Sequence, residues 1–179
     1  MSEIYLEDGF EKVFIEYIED LGYTYVPHQE IIRDSMKAVL ASEILSDALA
    51  SINPDISKEV IDQAIYKIKN IDVGLLINRN ETFFDYLQNG IEISYYEEDE
   101  QKTSTVYLID YENIANNSFV VTNQLTIIGK DTKRPDIILY INGLPLVVIE
   151  LKSLTSINSD IDSAYRQIQN YQYDIENLF

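Results

Sequence analysis

Residues 134–153, RPDIILYINGLPLVVIELKS, constrain the fold more than any other stretch of the chain. Two runs rich in Ile, Leu and Val flank Asn142-Gly143, the pattern of a β-hairpin whose strands are buried along their middles. Buried strands need cover, so the chain is expected to form a sheet with helices packed over it. Three charges sit uneasily on such a hairpin: Asp136 opens the first strand, and Glu150 and Lys152 close the second. Pro135 favours an extended entry just before Asp136.

Alternate residues of a strand share a face, which puts Val148, Glu150 and Lys152 on one side and Val147, Ile149 and Leu151 on the other. The side taken by Asp136 depends on the turn. A two-residue Asn142-Gly143 loop pairs Asp136 with Ile149 and sends it to the wrong face. A three-residue loop, Ile141 to Gly143 with Gly143 left-handed, pairs Tyr140 with Leu144 and Asp136 with Val148. Asp136 then lies diagonal to Glu150, about 7–8 Å away between backbones, and the two carboxylates can share one cation. Convergence of the acids therefore predicts an odd-numbered loop or a bulge.

The rest of the chain supplies the cover. Helical spacing of apolar residues predicts a helix over 6–21 (Phe10, Val13, Phe14, Tyr17, Ile18, Leu21) that Gly22 stops. It predicts a second over 35–52 (Met36, Leu40, Ile44, Leu45, Ala48, Leu49). A third is expected over 57–70 with Ser57 as N-cap, although Val60 stands where a capping box would hold an acid. A shorter one at 81–90 closes on Asn89-Gly90. YTYV (23–26) reads as a short strand, GIEISYYEE and TSTVYLID as a hairpin around a charged turn, and SFVVTNQLTIIGK as a strand or pair. A last amphipathic helix is expected over 159–177, with Ile161, Ala164, Ile168, Tyr171 and Ile175 on one stripe. With 179 residues and no internal repeat, helices first, a mostly antiparallel sheet next and a closing helix read as one domain, α/β or α+β, with the sheet covered by helices. Residues of about 35–90 read as a helical elaboration on a core of about 91–179.

Composition excludes several functions. The absence of cysteine removes thiol chemistry and Cys-based metal sites, and fits a reducing cytoplasm. No apolar run reaches the ~18 residues needed to span a membrane, so no membrane role is expected. A net charge of −18 argues against a broad, sequence-independent grip on nucleic acid, which uses clustered Lys and Arg. The single histidine, His28, has no motif partner, and EEDEQK (97–102) lacks the glycine and ligand spacing of a calcium loop. Lys130, Lys133 and Arg134 form the one compact basic cluster ahead of the hairpin, a turn that can also touch phosphates.

Two acids and a lysine gathered in this way suit metal-assisted hydrolysis of a phosphodiester. Mg²⁺ prefers hard oxygen ligands, keeps several waters and takes only one or two carboxylates from a protein. It polarises the scissile phosphate and acidifies a bound water. A nearby ammonium can orient that water or offset charge growing in the transition state. The plain alternative is an ion pair at a strand end. The next helix adds Gln167 and Tyr171 at i, i+4, on one face.

With these residues the chain resembles the nuclease region of the R subunits of type I restriction endonucleases, a branch of the PD-(D/E)xK nucleases. QIQNY (167–171) is similar to the QxxxY motif of RecB-like members. The likeness extends to SFVVTNQLTIIG and to FEKVFIEYIEDLGYTYV, while 35–110 matches only loosely. The resemblance implies an α/β restriction-endonuclease-like core, a mixed sheet flanked by helices with about 91–179 as its catalytic part, in which Asp136 and Glu150 bind Mg²⁺, the Leu151 carbonyl completes the metal sphere, and Lys152 is the catalytic lysine. Gln167 and Tyr171 would position the substrate or the site. Glu11, three and seven residues before Phe14 and Ile18, is the nearest match to a family glutamate on the first helix; its alternative is a solvated helix acid.

The family further implies double-stranded DNA as substrate, with methylase and specificity subunits as partners. The chain has no GxxxxGK(S/T) phosphate loop, so ATP would serve only motor domains beyond it. Its ending, YDIENLF, on two apolar residues without a polar tail, is what is expected of a piece of a longer protein. The alternatives are another PD-(D/E)xK repair or defence nuclease, or a non-enzymatic acidic DNA mimic. A mimic has no use for a lysine beside two converging acids.

Overall fold

The computed structural model describes residues 3–71, 75–152 and 161–178. Along the chain run α1 (Glu3–Asp20), β1 (Thr24–Tyr25), α2 (Ser42–Ile52), α3 (Lys58–Lys69), α4 (Leu76–Asn89), β2 (Ile91–Glu97), β3 (Glu100–Val106), β4 (Phe119–Asn123), β5 (Ile127–Ile128), β6 (Thr132–Lys133), β7 (Ile137–Ile141), β8 (Leu144–Ile149) and α5 (Ile161–Asp174). Short 3₁₀ turns at Ile114–Asn116 and Glu176–Leu178 complete the described elements. The architecture is α/β, and the chain divides into two compact units. One joins 1–41 to 119–179, and the other spans 42–118.

The first unit is built on a mixed sheet of order β1-β4-β7-β8, in which β1 runs parallel to β4 and the other neighbours are antiparallel. β7 is buried almost throughout; Ile137, Ile138 and Tyr140 are fully enclosed. Each such side chain contributes roughly 1.5–3 kcal/mol on leaving water. α1 covers one face: Ile15 and Ile18 pack with Val121, Ile137 and Leu139, edged by Phe14, Tyr25, Ile149 and Leu151. The stripe predicted for this helix is thus rotated. Phe10, Val13, Tyr17 and Leu21 are exposed, because the sheet meets the line through Glu11, Ile15 and Ile18 instead.

α2 begins seven residues later than its apolar spacing predicts, and the reason lies in residues 35–41. Their backbone groups are used elsewhere in the first unit. The Ala41 amide donates to the Gly143 carbonyl at 3.0 Å, the Met36 carbonyl accepts from Ile128 at 2.9 Å, and the Ala38 carbonyl accepts from the Arg33 guanidinium at 2.9 Å. Tertiary hydrogen bonds override a local helical preference here. Val39 is buried in this stretch while Met36 is exposed.

The second unit packs α2 against α3, and α3 against the β2–β3 hairpin, around Leu45, Leu49, Ile61, Ile91, Ile93 and Leu108. Ser57 occupies the N-cap of α3, but its side chain makes no cap hydrogen bond. α4 stops at Asn89 with Gly90 left-handed at φ 76°, as expected, yet starts five residues before the predicted 81. The helical segment and the hairpin share this one unit, so the division falls at 42 and 118 rather than around 35–90. α5 ends at Asp174, short of the predicted 177. Its predicted start at 159, and Ser153 of the hairpin motif, lie outside the described residues.

Candidate active site

The β7–β8 turn is two residues long, not three. Asn142 (φ 51°) and Gly143 (φ 76°) are both left-handed, the type I′ geometry that matches strand twist and that Asn-Gly adopts readily. Parity is restored by a bulge. Ile141 pairs with Leu144 and Tyr140 with Pro145, but Leu139 pairs with Val147, leaving Leu146 as a surplus residue. From there Ile138 faces Val148 and Ile137 faces Ile149. Continued by one step, this register sets Asp136 opposite Glu150, rather than opposite Val148 as the three-residue loop predicts. The two acids therefore share a face.

Asp136 is held by its surroundings. The Leu151 amide donates to its Oδ2 at 2.8 Å, and the Gln124 side-chain amide donates to its Oδ1 at 3.2 Å. Glu150 is the opposite case. Both of its carboxylate oxygens are buried, and neither has a hydrogen-bond partner among the described residues. The Tyr171 hydroxyl and Asp136 are near enough to affect its proton affinity without the distance and angle of a hydrogen bond. Burial, with the Asp136 charge added, pushes the Glu150 carboxyl up to about 7.

Lys152 reaches α5. Its ammonium donates to Gln167 Oε1, and Gln167 Nε2 donates to the Tyr171 hydroxyl at 2.9 Å. Because Gln167 is neutral, it fixes the lysine without cancelling its charge. Tyr171 is buried, and burial followed by the proximity of Glu150 raises its hydroxyl above the ordinary phenol range. The stripe of α5 sinks along its length, from Ile161 at 88% exposure to Ile175 at 1%. The site end of the helix is therefore the packed end.

Glu11 enters the same neighbourhood from α1. Asn123 Nδ2 donates to its Oε1, and Gln124 Nε2 donates to its Oε2 at 2.7 Å. The Tyr25 hydroxyl in turn donates to Asn123 Oδ1 at 2.8 Å. Tyr25, Asn123 and Gln124 escape a reading based on charged motifs. The available signal is the polar pair Asn123-Gln124 set inside the apolar run SFVVTNQLTIIG.

A model of the family described as "Type I restriction enzyme R protein N terminus" matches residues 4–179. The chain belongs to this family. It is 35% identical to the Type I restriction enzyme HindI endonuclease subunit of Haemophilus influenzae, over 97% of the chain and 17% of that protein. It is 30% identical to the Putative type I restriction enzyme MjaIXP endonuclease subunit of Methanocaldococcus jannaschii, over 94% of the chain and 17% of that protein. A third relative, the Type I restriction enzyme EcoprrI endonuclease subunit of Escherichia coli, is 27% identical over 96% of the chain and 51% of its own length. The chain thus spans about one sixth of the length of the first two relatives.

In this R-protein N-terminal chain the basic cluster is engaged. Lys133 pairs with Asp131 at 2.8 Å and Asp174 at 3.1 Å. Lys130 stacks over the Tyr173 ring at 4.3 Å and lies 3.7 Å from Glu176. Arg134 is exposed. No helix among the described residues is long and apolar enough to cross a membrane. Nor do three His, Cys, Asp or Glu side chains gather there into a ready metal cage. A hydrated cation held by two carboxylates does not need one.

Proposed function

We propose that this R-protein N-terminal region is the Mg²⁺-dependent endonuclease of a type I restriction enzyme, with a PD-(D/E)xK site formed by Asp136, Glu150 and Lys152. One observation carries the reading: the Glu150 carboxylate oxygens are buried beside Asp136 on the same face, and neither has a hydrogen-bond partner among the described residues. An uncompensated buried carboxylate is costly, and a divalent cation is the partner that removes the cost. The donors present fit Mg²⁺, with Asp136 and Glu150 as its side-chain ligands, the Leu151 carbonyl completing the set and Glu11 a further acid within the network. When bound, the ion supplies Lewis acidity toward the phosphate and a more acidic water.

The residues do the rest. Lys152, steadied by Gln167, presents its ammonium where negative charge grows on the phosphate oxygens. Tyr171 packs against Glu150 and fixes Gln167, so the closing helix sets the lysine's position. Lys130, Lys133 and Arg134 offer phosphate contacts, and the strongly acidic remainder makes grip on double-stranded DNA weak in isolation. Firm DNA engagement, ATP-driven translocation and cytoplasmic assembly with methylase and specificity subunits then belong to the longer protein and its complex.

The test is made in the full-length protein assembled with its partner subunits. Asp136→Ala and Lys152→Ala should each cut DNA cleavage by about a hundred-fold or more while ATP hydrolysis persists. Loss of ATP hydrolysis in step with cleavage would assign the residues a structural role, and a melting curve of each variant separates the two.

A further inference from the structure

We infer that Gln124 is a positioning residue that couples Glu11 to Asp136, with Asn123 and Tyr25 bracing Glu11 from behind; this deepens the nuclease reading and rests on it. Gln124 directly follows β4 with φ at 51°, a left-handed backbone that residues other than Gly, Asn and Asp take up rarely. Such a conformation persists where the surroundings use it. Here they do. The Gln124 backbone amide donates to the Asp136 carbonyl at 3.0 Å, while its side-chain amide donates to Glu11 Oε2 at 2.7 Å and Asp136 Oδ1 at 3.2 Å.

A primary amide has two N–H bonds, and Gln124 gives one to each acid. Being neutral, it draws the carboxylates together without forming an ion pair that a metal would have to break. The second Glu11 oxygen is taken by Asn123, whose own carbonyl is fixed by the Tyr25 hydroxyl. Both oxygens of Glu11 are thus occupied, whereas Glu16 and Glu19 of the same helix face solvent. The helix acid and the hairpin acid form one unit, made by a residue that carries no charge.

The experiment uses the full-length protein in its complex, with two readouts. One is DNA cleavage in Mg²⁺, and the other is the melting temperature without metal. Gln124→Gly, which accepts the left-handed backbone and removes the side chain, should cut cleavage by about ten- to a hundred-fold, the scale of a lost supporting contact. Adding Glu11→Gln to that variant should cost no further cleavage and no further melting temperature, because each change breaks the same link. Gln124→Asn keeps an amide on the same backbone but is too short to span both acids. It should lose cleavage by a similar factor while melting like the parent, and it decides the matter if Gln124→Gly does not fold. Cleavage at the parent rate in both Gln124 variants, or losses that add in the double variant, would overturn the inference. An Asp136→Ala protein that still cuts would sink the nuclease reading itself, so the two failures are distinguishable.

Discussion

The two hairpins of this molecule begin alike and end differently. β2–β3 turns through Glu98 and Asp99 and β7–β8 through Asn142 and Gly143, all four left-handed. From its turn β2–β3 runs without interruption, Glu97 against Glu100 through to Ile91 against Val106. Its charges stay in water, where Glu97 pairs with Lys102 at little net gain. β7–β8 carries one surplus residue, and the bulge that absorbs it resets every later pair. The comparison teaches that turn type did not gather the acids. A single unpaired residue, four pairs up the ladder from them, decides which face they share.

The sharpest way to break this comparison is to change the residue count. An alanine inserted after Leu146 should turn Glu150 and Lys152 away from Asp136 and abolish cleavage. Deleting Leu146 removes the surplus without altering the other pairs, and should leave cleavage standing. Cutting by the insertion variant, or loss of cutting from a deletion variant that still melts cooperatively, would overturn the account in which residue count alone aligns the acids.

A smaller effect separates packing from chemistry on α5. Tyr171→Ala should cost about 3 kcal/mol or more of stability through the cavity it leaves. Tyr171→Phe should cost about 1 kcal/mol yet lower cleavage, since only the contact to Gln167 and Glu150 goes. Denaturant unfolding beside a cleavage assay reads both. Equal cleavage by Tyr171→Phe and Gln167→Ala relative to the parent would reduce this face to packing.

Smaller again is a dependence of stability on pH. Glu150 holds its proton more tightly folded than unfolded, so its contribution is intact in acid. It is lost as pH rises from the ordinary carboxylate range through about 7. The melting temperature of metal-free protein should therefore fall across that window, and Glu150→Gln should flatten the slope. Mg²⁺ should oppose the fall, because binding needs the ionised carboxylate. At the bottom of the scale, Lys102→Ala in the exposed hairpin should leave the melting temperature at the parent value.

Much of this was legible in the residues. The apolar runs of β7 and β8, the Asn142-Gly143 turn, the Gly90 stop and the apolar stripe of α5 are local patterns, and local physics decides them. The bulge was not legible in the same way. Parity demanded that something offset the register, but a three-residue loop and a bulge satisfy that demand equally, and twist and packing choose between them. Residues 35–41 misled because their hydrogen bonds go to partners distant in sequence. Gln124 gives no charge signal in the sequence; its importance lies in a backbone angle and two acceptors brought from α1 and the hairpin.

Gly129 carries one more consequence. A Cβ there would stand 2.0 Å from the Asp174 carbonyl oxygen, where the Lys130 amide ties down the end of α5 at 2.7 Å. The helix that steers Lys152 is therefore clamped at the same end that carries Tyr171, like a lever on a fixed pivot. Any side chain at 129 would shift that pivot, and the displacement would travel along α5 to Tyr171 and Gln167. A position with no chemistry of its own thus sets the mechanical tolerance of the lysine.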